Sequence, residues 1–259
     1  MKKLMLTLVL LAPSMLLAQS PFDGTWMTKL DTAQFPTKPE RYTLNKEMYE
    51  CLTCVPKVAV KADGTDQKVT GHPYYDTTAA HVVNASQVEI ISKKDGKTIY
   101  TTTATVSSDG NTLTQKFTDN SEAQPVTGEL TYSRVEKGPA GSHALSGAWR
   151  VQKVNNISNN GLTVTYQSTA DGLKMSDPNG ASYDAKFDGK FVPVTGDIGH
   201  TMVSLKRINA NTIEETDQRD GKIVGINRMT VAPDGKSIHV EYNDKEQGTT
   251  TTFTMEKQS

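Results

Sequence analysis

The chain has 259 residues, 28 Lys and Arg against 29 Asp and Glu, and a formal charge of −1. Charge this close to balance, with no run of Lys or Arg, excludes the electrostatic footprint of a nucleic-acid binder or of a protein held on an anionic membrane. Beyond the N-terminus no stretch approaches the roughly 20 consecutive apolar residues of a spanning helix, so no membrane span is expected.

In chain order, Lys2 and Lys3 precede the apolar run LMLTLVLLAPSMLLA, and the small Ala18 stands before Gln19. This predicts a secretory signal peptide over residues 1–18, cleaved near Ala18, and a mature protein in the periplasm or outside the cell. No cysteine follows the cleavage point, so a lipid anchor is not expected. Loss of Lys2 and Lys3 takes the formal charge from −1 to about −3.

From there the signals are almost all β. Runs rich in Thr, Val, Ile and Tyr lie near residues 24–30, 41–50, 56–61, 66–70, 79–92, 97–106, 111–119 and 127–135. Asp-Gly pairs beginning at Asp63, Asp95 and Asp109 punctuate them, and Asp-Gly supplies the positive φ of a tight hairpin. Leu113 and Phe117 alternate with Thr112, Thr114, Lys116 and Thr118, a period of two that buries one face. After a Gly138-Pro139-Ala140-Gly141-Ser142 linker the whole pattern returns. Asp63, Asn84, Asp95, Asp109 and Asp119 recur 125 positions on as Asp188, Asn209, Asp220, Asp234 and Asp244, which is the mark of duplication. The domains expected are therefore 19–137 and 145–259, joined by a linker at 138–144. Each is an all-β antiparallel meander of roughly eight to ten strands, curled into a barrel or a partly open barrel or sandwich, because an open meander leaves two sticky edges.

Gly24-Thr25-Trp26 and Gly147-Ala148-Trp149 open the two copies. Each resembles the Gly-x-Trp start of lipocalin and fatty-acid-binding-protein-like (calycin-type) barrels. The chain also resembles exported tandem β proteins of environmental bacteria to which no activity is assigned. The barrel resemblance implies that Trp26 and Trp149 close the barrel floors and that a basic residue of the last strand covers each. Arg134 in TYSRVEK is placed to do so in the first copy. The second copy departs, with Met255 in the nearest position and Lys257 beyond it.

Candidate chemistry is sparse. Cys51 and Cys54, alone in an exported chain, predict a disulfide closing a short loop; a redox pair would need the strand-to-helix context that is missing here. Zinc would need two further ligands, so neither a metal nor a cofactor is expected. His72 has Asp76 nearby, but their counterparts are Asp197 and Thr201, so no site is duplicated; scattered surface histidines are the plainer reading. Nucleophile-elbow, zinc-helix and phosphate-loop motifs are absent. On the strand after Ile213, alternation puts Glu214 opposite in face to Glu215 and Asp217, and partly solvated carboxylates are expected there.

The sharpest hint is a difference between copies. Val88, Ile90, Tyr100, Ala104 and Val106 share one face, and their counterparts are Ile213, Glu215, Gly225, Met229 and Val231. If that face is inward, the second copy gains a carboxylate at Glu215 and loses a ring at Gly225, leaving a cavity with a polar mouth beside Met229, while Tyr100 packs the first copy more tightly. If it is outward, the swaps mean little. The function expected first is a non-enzymatic, lipocalin-like module for a small apolar or amphipathic ligand or lipid. The others are a structural or interaction protein of the cell envelope with filled barrels, and a hydrolase or isomerase with a dispersed site.

Overall fold

The computed structural model describes residues 20–259, so the signal peptide expected over 1–18 lies outside the described residues. The first half contributes β1 (Gly24–Gln34), β2 (Glu40–Asn45), β3 (Met48–Cys51), β4 (Val58–Lys61), β5 (Gln67–Lys68), β6 (Thr77–Asn84), β7 (Gln87–Lys94), β8 (Lys97–Val106), β9 (Thr112–Asp119) and β10 (Val126–Lys137). The second half contributes β11 (Gly147–Ile157), β12 (Thr163–Ser168), β13 (Gly172–Ser176), β14 (Ser182–Lys186), β15 (Val192–Pro193), β16 (Met202–Asn209), β17 (Thr212–Arg219), β18 (Lys222–Val231), β19 (Ser237–Asp244) and β20 (Thr249–Lys257). The one helical element among the described residues is a 3-10 turn at Asn159–Gly161. None of them forms a helix long and apolar enough to cross a membrane.

These strands make two ten-stranded antiparallel sheets, each curled until its ends nearly meet. In one, Ser182 and Thr195 exchange backbone hydrogen bonds of 3.0 and 2.8 Å across the seam; in the other, Gly64 N donates to Ala80 O at 2.8 Å. Near-closure removes the unpaired edges that a meander otherwise exposes. The hairpins follow local chemistry. Asp95-Gly96 and Asp220-Gly221 both take positive φ at both positions (50° and 77°, 47° and 76°), the geometry that suits the twist of a two-residue turn. Two expected strands are each split by a turn without glycine. Lys46 and Glu47 (φ 48° and 65°) break residues 41–50 into β2 and β3, and Asn84 turns the chain between β6 and β7 by accepting the Ser86 amide at 2.9 Å.

The sheets and the sequence copies differ by one strand. β1 pairs with β12 and β20, inside the sheet built otherwise from the second copy, and β11 pairs with β2 and β10, inside the sheet of the first. The chain thus makes barrel I from β2–β11 and barrel II from β1 and β12–β20, crossing between them at residues 35–39 and again at 158–162. One copy does not build one barrel on its own, because each opening strand is taken up by the other's sheet.

The exchange also sets which basic residue lies over which tryptophan. Trp26 and Trp149 are both fully buried, and each indole donates to a carbonyl four residues back, Phe22 or Leu145, at 2.8 Å. Arg134 covers Trp149, not the Trp26 of its own copy, with its guanidinium carbon 3.9 Å from the ring centroid. Lys257 covers Trp26 at 5.2 Å. The departure of the second copy is therefore a change of residue, with the covering role retained. Gly-x-Trp has a steric cause: at Gly147 (φ 137°) a Cβ would lie 2.3 Å from Glu136 O and 2.8 Å from Arg134 Nη1, and at Gly24 (φ 131°) 2.6 Å from Lys257 Cε. Arg134 also donates to the carbonyls of Gly110, Ser146 (2.8 Å) and Ala144 (2.7 Å). Arg134→Ala strands these acceptors and uncovers the indole, and is expected to cost about 2–4 kcal/mol; chemical denaturation checks it, and a loss below about 0.5 kcal/mol, the range of an ordinary surface change, contradicts it.

Cys51 and Cys54 form the expected disulfide, with their Cα atoms 5.4 Å apart. It closes the loop after β3 in barrel I and has no counterpart in barrel II.

Candidate functional site

Pairing across β16, β17 and β18 fixes which side chains share the interior of barrel II. Ile213, Glu215 and Asp217 alternate onto one face of β17; Glu215 stands opposite Leu205 and Asn227, and Asp217 opposite Val203 and Gly225. Leu205, Ile213 and Ile238 are fully buried, and Met229 and Val231 are 2% exposed, so this face points inward. Of the two alternatives for these residues, the inward one is the geometry found. Toward the far end the same face turns polar. Glu215, Asp217, Asn227, Tyr242 and Phe253 all keep some solvent access. Glu215 is surrounded by protein and yet still reachable by solvent, as a side chain facing an interior space is.

Two donors hold Glu215. The Tyr183 hydroxyl donates to Oε2, and Asn227 Nδ2 donates to Oε1 at 3.1 Å. Burial still dominates: with the neighbouring Asp217 charge it raises the Glu215 carboxyl well above the ordinary carboxylate range, against the pull of both hydrogen bonds. Asp217 is raised too, by burial first and by Asp197, while Arg219 lowers it. No described cation pairs with either carboxylate within salt-bridge distance. Arg219 instead pairs with Glu246 at 3.4 Å, donates to Thr201 Oγ1 at 3.2 Å and lies 5.2 Å from the centroid of the Tyr74 ring of barrel I. Glu215 and Asp217 are thus partly solvated, as expected, and form a close pair that protein largely surrounds. Tyr166, fully enclosed, donates to Met229 Sδ at 3.3 Å and ties Met229 into the wall.

Gly225 does not leave an empty place where the first copy has Tyr100. A Cβ there would lie 2.7 Å from Tyr242 Cε2 and 3.0 Å from Asp217 Oδ2, so the Tyr242 ring lies over the glycine. Its counterpart Phe117 lies over Gly128 on the other neighbouring strand, where a Cβ would be 2.5 Å from the ring. The aromatic residue is common to both copies, and each ring leans toward the strand that carries the glycine. Gly225→Tyr, which restores the first copy's residue, should displace Tyr242 and cost about 1–3 kcal/mol by overpacking. A variant melting at or above the parent temperature contradicts this.

Tyr100 itself packs at one end of barrel I, edge-on to Tyr74 and Tyr75 with centroids 6.4 and 6.1 Å apart, and His72 stacks on Tyr75 at 4.4 Å. His72 does not pair with Asp76, whose carboxylate accepts the Asp95 amide at 3.0 Å. Burial lowers the His72 pKa, and its Nε2 has no hydrogen-bond partner among the described residues. Barrel I has its own buried carboxylate, missed in the sequence. Tyr42 donates to Glu40, Gln115 Nε2 donates to Tyr42 Oη at 3.4 Å, and Tyr132 donates to Gln115 Oε1 at 3.0 Å. Opposite the two tryptophans, Glu40 is answered by Val164, and Gln115 is answered by Val240, so the repeat carried no signal of it; Tyr183 likewise answers a plain Val58. Among the described residues no three His, Cys, Asp or Glu side chains are grouped to hold a metal ion.

Compared with known proteins, the chain matches no protein-family model and no curated sequence.

Proposed function

We propose that this is an exported, lipocalin-like binding protein without catalytic activity, and that barrel II receives a small apolar or amphipathic molecule. The apolar end of the ligand would rest on Phe253 and the Tyr242 ring, the apolar side chains of this face that solvent reaches, and its polar group would meet Glu215 and Asn227. The observation that carries this reading is the gradient along one inward face, from inaccessible aliphatic residues to solvent-reachable polar ones. Binding sites have that composition: apolar walls with a few polar groups that fix orientation. Export and a periplasmic or extracellular location rest on the sequence of residues 1–18.

Native mass spectrometry of the mature protein purified from its own compartment, followed by organic extraction, tests the reading. A discrete bound molecule that is lost in Glu215→Ala supports it. A clean apo mass that persists after incubation with lipids and amphiphilic dyes overturns it in favour of a structural or interaction protein of the cell envelope. That second reading draws on barrel I, where the Tyr74, Tyr75 and Tyr100 rings pack together at the end that stays polar and accessible in barrel II.

A further inference from the structure

The crossover at residues 35–39 does not lie flat against the barrels. Its Pro36, Lys38 and Pro39 line an open-sided cavity of ≈ 330 Å³, together with β2, the Cys51–Cys54 loop and the hairpin between β19 and β20. The walls are tied together from both barrels: Lys38 Nζ donates to Gln247 O at 2.7 Å, Gln247 Nε2 to Thr53 O at 3.0 Å, and Arg150 Nε to Thr37 O at 3.1 Å. Pro36, Pro39 and the disulfide give the lining its apolar part, with Tyr42 and Trp149 behind.

Glu40 supplies the charge. Its Oε2 takes the Tyr42 hydrogen bond, while Oε1 has no hydrogen-bond partner among the described residues, and the side chain keeps some solvent access. The other charged groups on the lining are Lys38, already engaged with Gln247 O, and Asp244, whose Oδ1 accepts the Glu246 and Gln247 amides at 2.8 Å each. Two carboxylates therefore face a single ammonium, and the lining carries a formal charge of −1. We propose that this cavity is a binding site for a small organic amine in its ammonium form, seated on Glu40 Oε1 with its alkyl part against Pro36, Pro39 and the disulfide. An anion would meet two carboxylates, and a neutral polar molecule would leave the half-buried Glu40 charge without a counter-ion. Burial raises the Glu40 pKa above the ordinary range, as expected of a carboxylate that lacks a counter-ion. The volume sits at the small end of ligand pockets, which suits a short amine and not a long lipid. Val164 holds the place of Glu40 in the second copy and no disulfide stands there, so the site is not duplicated in barrel II, and it is separate from that barrel's interior.

The test uses butylammonium chloride and 1-butanol with the mature full-length chain, followed by calorimetry and by amide chemical shifts. Butylammonium is expected to bind one per chain, at least about tenfold more tightly than butanol, as a charge-assisted hydrogen bond implies. Its shifts should centre on Thr53, Gln247 and Glu40. E40Q should reduce its affinity to that of butanol. Equal affinity for the two probes, shifts centred on Glu215 and Asn227 instead, or unchanged affinity in a folded E40Q each overturn the proposal. The shift map on the unmutated chain decides the matter even where E40Q does not fold.

Discussion

Trp26→Ala is expected to unfold the barrel made mainly from the other half of the chain. Trp26 is fully buried among Tyr166, Leu173, Ile238 and Met255, all from the second copy. Truncating an indole in such a core costs about 3–5 kcal/mol, a large part of the 5–15 kcal/mol that holds an ordinary domain. Hydrogen exchange should then show lost protection across β12–β20 and retained protection across β2–β10. A chain in which each copy closed its own barrel would give the reverse. Trp149→Ala should give the mirror pattern, since Trp149 is buried against Tyr42, Leu113 and Tyr132 of the first copy. The same exchange predicts that cutting the exposed linker near Gly141 leaves the halves associated, because parting them requires withdrawing β1 and β11 from closed sheets. Size-exclusion chromatography of the nicked native protein checks this; two half-sized peaks without denaturant would show that the strands are not exchanged.

Most of the architecture is local and was therefore legible. The constant register of Asp63, Asp95 and Asp109 with their counterparts carried the duplication, and the Asp-Gly turns and the alternation on β9 carried the β class. The exchange was not legible, for a physical reason. β1 and β11 bear the same Gly-x-Trp motif and make the same indole bond four residues back, so the motif itself does not say which sheet each strand joins. The site was legible in part. Parity grouped Glu215, Gly225 and Met229 on one face but could not say which face, a question that only burial of Leu205 and Ile238 on neighbouring strands resolves. Tyr183 and Asn227 reach Glu215 from two other strands, a convergence that curvature creates and that linear spacing does not encode. Glu40 lies where the chain has just changed barrels, so the walls around it come from parts of the chain as distant as Trp149 and Gln247.

The enclosed carboxylates make stability depend on pH in a direction opposite to the usual one. A carboxyl whose folded pKa is raised binds its proton more tightly in the fold than in the unfolded chain, where it titrates near ~4.3. Its stabilising contribution is complete below that unfolded value and is lost as pH rises through the raised folded value. Glu215 and Asp217 are both raised by burial, and each is near another negative group, so the melting temperature is expected to fall between about pH 5 and pH 8. Glu122 acts in the same sense. It lies where a loop of the first half meets Asn179 of the second, and burial, together with Asp177 and Asp119, pushes it up to about 7. Glu215→Gln keeps an acceptor for Tyr183 and removes both the buried charge and its repulsion of Asp217. That variant should match the parent near pH 5 and exceed it at pH 8 by roughly 2 kcal/mol. Glu122→Gln should take out a further part of the slope. Thermal melts across pH 5–8 decide the matter: a parent that grows more stable toward pH 8, or a slope that Glu215→Gln leaves intact, means that Glu215 is hydrated in the fold and that the interior of barrel II is open water.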